Sequence, residues 1–155
     1  MKITILITYF FSLTIIVGCG DSVDILKTYG STGTSGIKKI FVTTSLTNGN
    51  LGGVTGADSF CNNDSNKPDS STYKALIVSN TRRACTTAEC SGGPSEHQDW
   101  VMSANTNYYR EDGLTLIGTT TDNGIFSFPL INSIDFIPVL YLSGLTANWQ
   151  NSGST

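Results

Sequence analysis

Four cysteines constrain the fold of this chain more than any other feature, and they stand at positions 19, 61, 85 and 90. Whether they bond to one another depends on the compartment, because disulfides persist in exported proteins and are rare in the cytosol. The segment CTTAEC brings Cys85 and Cys90 close enough to bridge across a small loop. The fate of Cys19 depends on how the N-terminus is processed.

The N-terminus predicts export. After Lys2, residues 3–18 (ITILITYFFSLTIIVG) form an uncharged apolar run that ends at Cys19. The run falls just under the length that crosses a bilayer, and a small residue precedes the cysteine, as in a secretory signal. We therefore predict a signal peptide over residues 1–18. A short membrane anchor is the alternative.

The ending IVGCG resembles the lipobox of bacterial lipoproteins, although Val17 stands where a small residue is commoner. The resemblance implies that Cys19 becomes the new N-terminus and carries the lipid. Each buried methylene contributes about 0.8 kcal/mol, so several acyl chains hold a protein firmly on a membrane. We predict a lipidated cysteine and a flexible tether over residues 19–37, and a location at the outer membrane or cell surface. An ordinary cleaved signal is the alternative.

The charge balance argues against nucleic acid as a partner. Of 9 Lys and Arg residues, removal of Lys2 leaves 8 against 12 Asp and Glu, a formal charge of −4. Adjacent basic residues occur only as the pairs Lys38-Lys39 and Arg82-Arg83. An acidic domain without a basic stripe is a poor binder of nucleic acid or heparin.

Residues 38–155 predict one α+β domain, rich in β-structure, with one or two short helices. The segments KKIFVTTS and TYKALIVS are β-branched and aromatic and predict strands. NYYREDGLTLIGTT predicts a hairpin that turns at Asp112-Gly113, and GIFSFP and FIPVLYLSG predict further strands, the last with Pro138 at an edge or bulge.

A helix is predicted over about residues 55–65. Thr55 and Asp58 have the spacing of a capping box. Ala57, Phe60 and Cys61 would then form its buried face. The preceding GGVTGA lacks the Gly-Lys-Ser/Thr ending of a phosphate-binding loop.

Five segments, in this order, resemble a domain family that is abundant in lipoproteins of leptospiral spirochaetes: GNLGGVTGADSFC, YKALIVS, RRACTTAECSGG, DWVMSANTNYYREDG and NGIFSFPL. That family is in turn similar to endostatin, so the resemblance implies a C-type-lectin-like fold over residues 38 to about 150. The shared core consists of a helical motif followed by a strand motif: Gly56, Ala57, Asp58 and Cys61, then Tyr73, Lys74 and Ala75.

The resemblance also implies that Asp58 caps or orients the helix and that Cys61 bonds to a cysteine near the C-terminus. This chain ends at LTANWQNSGST without such a residue. With Cys19 lipidated and Cys85 bonded to Cys90, Cys61 is expected to be unpaired and the domain incomplete at its C-terminus and marginally stable. The alternative is that Cys61 pairs between chains or stays buried and reduced.

No catalytic constellation, metal site or cofactor site is predicted. A thiol–imidazole pair of Cys61 and His97 is not expected, because Cys61 falls on a core face and SEHQDW predicts a polar loop. NNDSNK spaces oxygen ligands like a calcium loop but has Lys67 where the glycine belongs. The aromatic residues of the β-rich half are expected to pack the core rather than recognise a ligand: Trp100, Tyr108 and Tyr109.

Three arginines are possible contacts for an acidic partner: Arg82, Arg83 and Arg110. The alternative is that they are solvated loop residues that bridge Glu89 or Glu111. The resemblance implies a non-enzymatic surface lipoprotein that binds host extracellular-matrix or plasma proteins. The alternative is a structural or vestigial envelope lipoprotein without a specific ligand.

Overall fold

A computed structural model describes residues 17–21, 37–136 and 143–152. Within them the chain has a mixed α/β fold with a five-stranded sheet and one α-helix. None of the described helices has the length and apolar character needed to span a bilayer. In chain order the elements are β1 Gly18–Asp21, β2 Lys38–Val42, α1 Gly53–Asn63, β3 Tyr73–Ala75, two 3-10 turns at Ala88–Cys90 and Pro94–Glu96, β4 Asn107–Tyr109 and β5 Leu116–Thr119.

The sheet has the order β3-β1-β2-β4-β5. β1 runs antiparallel to both β2 and β3, so that Cys19 lies opposite Phe41 on one side and Ala75 on the other. β2 continues into the second half of the sheet through a short parallel pairing with β4, and β5 returns antiparallel. The first strand among the described residues is therefore an interior strand of the sheet.

The position of β1 bears on the predicted domain boundaries, which stay a prediction. Residues 17 and 18 belong to the predicted signal peptide and residues 19–21 to the predicted tether, whereas in the unprocessed chain the side chain of Val17 is 1% exposed and lies in the core. The backbone N–H of Thr43 donates to the carbonyl of Val17, and the N–H of Leu76 donates to that of Gly18. The rest of the predicted signal, residues 1–16, and of the tether, residues 22–36, lies outside the described residues.

Two apolar clusters form the core, and each contains one pair of cysteines. The helix-side cluster packs α1 against β1, β2 and β3. Its buried members are Val17, Cys19, Phe41, Ala57, Cys61, Tyr73 and Ala75. The loop-side cluster fills the space around β4, β5 and the later loops. Its buried members are Ile40, Ala84, Cys85, Cys90, Val101, Met102, Tyr108, Ile117, Ile125, Phe126 and Trp149.

Helix α1 begins at Gly53, two residues before its predicted start. The residue at its N-cap, Gly52, has φ 73°, a left-handed conformation that favours glycine, and no side chain caps the helix. The capping box is therefore wrong, because Thr55 lies inside the helix. Gly56 is required for a different reason: a Cβ there would lie 1.6 Å from the carbonyl oxygen of Leu51.

The other predicted elements agree with the structure where they are short and local. KKIFVTTS contains β2, and the hairpin of β4 and β5 turns where Gly113 has φ 68°. TYKALIVS forms a strand only over β3. GIFSFP forms no strand, and its Phe126 makes a single bridge to Thr120. Most of FIPVLYLSG, including Pro138, lies outside the described residues.

Candidate functional site

The junction of α1 with β3 explains the helical and strand motifs. β3 is an edge strand, whose outer backbone groups need partners. Two helix side chains four residues apart supply them, since residues at this spacing share a helix face. Asp58 Oδ1 accepts from the N–H of Ala75 at 2.8 Å, and the amide of Asn62 both accepts from the N–H of Tyr73 at 2.9 Å and donates to its carbonyl at 2.6 Å. Asp58 thus orients the helix against the sheet and does not cap it.

Arg82 is buried at this junction, with a side chain that is 1% exposed. All five of its N–H groups have partners. The guanidinium donates two hydrogen bonds to the Asp58 carboxylate, from Nη1 at 2.7 Å and from Nη2 at 2.8 Å, and Nη1 also donates to the carbonyl of Ala75 at 3.0 Å. Nε and Nη2 donate to Oδ2 of Asp99 at 2.9 and 2.6 Å. A fork of this kind matches the geometry of carboxylates.

The four charged groups of this cluster balance one another. Lys74 lies 2.5 Å from the second carboxylate oxygen of Asp99, so two cations face two carboxylates. Burial opposes ionisation of Asp99, but hydrogen bonds from Lys74 and Arg82 outweigh it and lower its pKa. Burial likewise opposes the charge of Arg82, yet Asp58 and Asp99 raise its pKa. The cluster stays charged and has no unpaired charge to offer a partner.

The predicted contact for an acidic partner is therefore wrong at Arg82. It is also wrong at Arg110, which is 6% exposed. The Arg110 guanidinium donates from Nε to the carbonyl of Ser133 at 2.8 Å and lies 4.0 Å from the ring centroid of Phe136. The expected alternative, a solvated arginine beside Glu111, fails for the same reason.

Arg83 is half-buried and donates from Nε to the carbonyl of Glu96 at 3.1 Å. Its backbone also pairs with that of Gln98 in an isolated bridge. Arg83 thus holds the loop that follows it through contacts with Glu96 and Gln98. Its described contacts do not include Glu89. The two members of the Arg82-Arg83 pair serve two different parts of the fold.

Two disulfides account for the four cysteines. Cys85 bonds to Cys90, as predicted. Cys61 bonds to Cys19 across 42 residues of sequence, with the Cα atoms 5.8 Å apart. The expectation that Cys61 is unpaired is wrong in this structure, because β1 brings Cys19 against α1. The inference of a missing C-terminal partner loses its premise.

The same bond bears on the predicted lipid. A sulfur bonded to Cys61 has no valence left for a thioether, so the disulfide and the lipid exclude each other at Cys19. Cleavage before Cys19 would also remove Val17 from the helix-side cluster and Gly18 from β1. The structure describes the form in which Cys19 is crosslinked, and lipidation of Cys19 stays a prediction.

The loop of residues 85–96 is organised around the buried carboxylate of Glu96, which is 8% exposed. Oε2 accepts from the backbone N–H groups of Thr86 and Thr87 at 2.6 and 2.7 Å, and Oε1 accepts from that of Gly92 at 2.6 Å. The two threonine hydroxyls donate to it as well. Hydrogen bonds from Thr87, then from Thr86, lower the pKa of Glu96 to about 2. The prediction of a polar solvated loop missed this residue.

His97 follows Glu96 and lies against the second disulfide. Its Nε2 is 3.6 Å from Sγ of Cys90, and Trp100 lies beside its ring. Burial lowers the pKa of His97, although a hydrogen bond to the Asn123 backbone and the charge of Glu96 act in the opposite direction. Cys61 belongs to the other cluster, so the thiol–imidazole pair with His97 does not form.

The oxygen atoms of NNDSNK serve the fold. Asp64 accepts from the N–H groups of Thr44, Ser45 and Asn66, each within 3.1 Å. Burial of Asp64 opposes its ionisation, but these backbone donors outweigh that effect and lower its pKa. Asn62 holds β3, as described above. The loop joins the end of α1 to the segment that follows β2.

A model of a protein family of unknown function, DUF1554, matches residues 44–155. The chain belongs to the DUF1554 family. No curated protein and no solved structure matches it. The matched part of the DUF1554 chain contains α1, β3, Arg82 and the Glu96 loop, whereas β1 and β2 precede it. Three cysteines thus lie inside the family region, and Cys19 lies outside it.

The aromatic residues of the DUF1554 domain pack as predicted where they are buried. Tyr108 is fully buried and its hydroxyl accepts from the N–H of Ser103 at 2.8 Å. The indole N–H of the half-buried Trp100 donates to the carbonyl of Gly124 at 2.8 Å. Trp149, which was not singled out from the sequence, completes the loop-side cluster.

Two surface grooves among the described residues of the DUF1554 domain could receive a ligand. A polar groove lies between residues 45–51 and the outer face of α1. An apolar groove of about 410 Å³ lies beside Trp149, and Leu76, Leu130, Ile134 and Leu145 contribute to its walls. Phe128 stacks on Trp149 at its rim, with ring centroids 5.6 Å apart.

Proposed function

We propose that the chain is an exported, non-enzymatic binding module with an endostatin-like, C-type-lectin-like domain. Its place on the surface of a spirochaete, and its partners among host extracellular-matrix or plasma proteins, are part of the same proposal. The sequence resemblance supports the origin and the partner class, and fold alone does not fix function. The two disulfides support export, since such bonds persist outside the cytosol.

The observation that carries the proposal is the exposed apolar surface around the apolar groove. Phe128, which lines the groove, is 59% exposed, and Ile131 and Phe136 follow it in sequence with exposures of 64% and 67%. Large exposed apolar side chains beside a groove indicate a candidate protein-interaction site. The charged cluster at Arg82, by contrast, is paired inside the fold. We therefore assign recognition to apolar contact with a protein partner.

The chemistry of the described side chains supports a binding role over a catalytic one. The single histidine of the chain faces a disulfide sulfur that cannot act as a nucleophile. Glu96 and Asp64 are held ionised by several backbone donors each, which makes them weak bases. His97, Glu96 and Asp64 are therefore poor candidates for a general base.

Lipid anchoring belongs to the proposal as the fate of the processed chain. Because the lipid and the disulfide exclude each other, an anchored molecule would leave Cys61 as a free thiol. Mass spectrometry of the membrane fraction decides between them. A diacylated peptide that begins at Cys19 supports the anchor, whereas a crosslinked peptide that contains Cys19 and Cys61 in the exported protein rejects it.

A solid-phase binding assay tests the proposed recognition. The full-length chain, exported into an oxidising compartment, is applied to immobilised matrix and plasma proteins, and Phe128→Ser is compared with Leu114→Ser. Phe128 lines the groove, whereas Leu114, which is 84% exposed in the β4–β5 turn, does not, so Leu114 is a matched control. Saturable binding that Phe128→Ser weakens about tenfold and Leu114→Ser leaves unchanged supports the groove. Absence of saturable binding, or equal losses in both variants, rejects it.

The alternative function is a structural or vestigial envelope protein without a ligand. It rested on the expected unpaired Cys61 and a marginal fold. A thermal melt separates the two functions. A cooperative transition of the oxidised chain supports a competent domain, whereas its absence supports a remnant.

A further inference from the structure

The dipeptide Asn-Gly occurs twice in the described chain, in two different environments. Asn48-Gly49 lies in the exposed segment that borders the polar groove, and Asn123-Gly124 lies in a half-buried turn beside the second disulfide. The backbone nitrogen of the residue after an asparagine can attack Cγ of the asparagine side chain. Glycine hinders this attack least, because it carries no Cβ. The two copies therefore permit a comparison within one molecule.

The first copy is held in an arrangement that assists this attack. The side-chain Oδ1 of Asn48 accepts from the N–H of Asn50 at 3.1 Å, which polarises the side-chain carbonyl. The N–H of Gly49, the nucleophile after loss of its proton, donates to Oγ1 of Thr47 at 3.2 Å. Gly49 has φ 86°, and Asn48 is exposed, so water and base reach the site.

The second copy is held in an arrangement that blocks it. The side-chain Nδ2 of Asn123 donates to the carbonyl of Cys90 at 3.0 Å and to that of Glu89 at 3.4 Å. Gly124 is buried, unlike Gly49, and its N–H donates to the carbonyl of Thr121 at 2.9 Å, so base does not reach this nitrogen. Reaction at Asn123 must wait until these bonds open.

We propose that Asn48 is a modification site, at which the chain converts an amide into a carboxylate by itself. The Gly49 nitrogen loses its proton and bonds to Cγ of Asn48, and the side-chain amide leaves as ammonia to give a cyclic imide. Water then opens either carbonyl of the imide, which yields aspartate or isoaspartate at position 48. Each event adds one negative charge to the rim of the polar groove, opposite the end of α1.

The experiment compares both asparagines in the same molecules. The oxidised full-length chain is held in mildly alkaline buffer prepared with oxygen-18 water, and peptide mapping follows the label at both positions. Asn48 is expected to convert about tenfold faster than Asn123, because only Asn123 needs local opening. In the reduced and denatured chain the two rates should converge, since both residues precede glycine.

Equal rates in the folded chain, or faster conversion of Asn123, overturn the proposal. Thr47→Ser keeps the hydroxyl that accepts from Gly49 and should convert like the parent chain, whereas Gly49→Ala should slow Asn48 without changing Asn123. Because Gly49 has a positive φ, a thermal melt of Gly49→Ala checks that the fold is intact. If both asparagines change together in a folded variant, the assignment to the local geometry of Asn48 is wrong.

Discussion

The junction of α1 with β3 and the loop of residues 85–96 each combine one disulfide with a hydrogen-bonded carboxylate, yet the partners of these groups lie at different distances along the sequence. At the junction, Cys19 and Cys61 are 42 residues apart and the carboxylate of Asp58 meets a cation from a third segment. In the loop, Cys85 and Cys90 are 5 residues apart, and Glu96 is held by neutral donors of the same loop. The disulfide and carboxylate contacts of the junction join segments that are distant in sequence, whereas those of the loop stay within residues 85–96.

This difference predicts where the stability of the molecule resides. A crosslink constrains the unfolded chain more when the loop that it closes is longer. A cation shared between segments also costs more to lose than one hydrogen bond in a local network. The junction should therefore control global unfolding, and the loop should control local opening.

The largest effect is expected from removal of the long crosslink. Cys19→Ala with Cys61→Ala should lower the free energy of unfolding by about 4 kcal/mol, from the length of the closed loop. Denaturant unfolding of the exported chain measures this. If the double variant is as stable as the parent chain, the bond does not form in solution, and the interior position of β1 must be revised.

The next effect is expected at Arg82. Arg82→Met keeps the aliphatic volume but removes every bond of the guanidinium, which leaves Asp58 with the Ala75 N–H and Asp99 with Lys74 and takes this donor from the Ala75 carbonyl. The side chains of Asp58 and Asp99 are 23% and 38% exposed, so water replaces part of the loss, and we expect about 3 kcal/mol of destabilisation.

Lys74→Met is the matched control for Arg82, because it removes the other cation of the cluster. Its side chain is 32% exposed, and a pair of this exposure contributes below about 1 kcal/mol. Equal losses in the two variants, again from denaturant midpoints, would show that Arg82 acts as an ordinary surface charge.

The short crosslink should contribute less than the long one. Cys85→Ala with Cys90→Ala opens a loop with a sequence separation of 5 residues, for which the chain-entropy model gives about 2 kcal/mol. Amide exchange should increase first within residues 85–96 rather than across the sheet. A loss as large as that of the Cys19–Cys61 pair would abolish the distinction between the two regions.

The same contrast shows what the sequence could predict. β2, the β4–β5 hairpin, α1 and the Cys85–Cys90 bond depend on residues close together in the chain, and pattern rules identify them. The pairing of Cys19 with Cys61 depends on β1, which begins at the end of a run that also fits a secretion signal. The composition of that run does not distinguish the two uses.

The burial of Arg82 and of Glu96 was not predicted, for a related reason. Charged residues in turn-rich segments are usually solvated, so nothing local indicated that either was buried. A signal for Arg82 was present in the helix: Asp58 and Asn62 share one face, beside the buried Ala57 and Cys61. Polar side chains at the edge of a buried face need partners, and a cation is a suitable one for Asp58. Glu96 has no such signal in its neighbours.

The most specific test of the loop is its response to acid. The folded-state pKa of Glu96 is lowered to about 2 from 4.5 by hydrogen bonds from Thr87 and Thr86. A depressed pKa means that the stabilisation is fully present above the unfolded value and is lost as pH falls from 4.5 towards 2. Glu96→Gln lacks this contribution at every pH, so the stability difference between parent and variant should shrink across that window. Glu89→Gln removes an exposed charge from the same loop without removing those hydrogen bonds. If Glu89→Gln reproduces the pH profile of Glu96→Gln, net charge rather than the bonded carboxylate accounts for it, and the loop does not organise itself around Glu96.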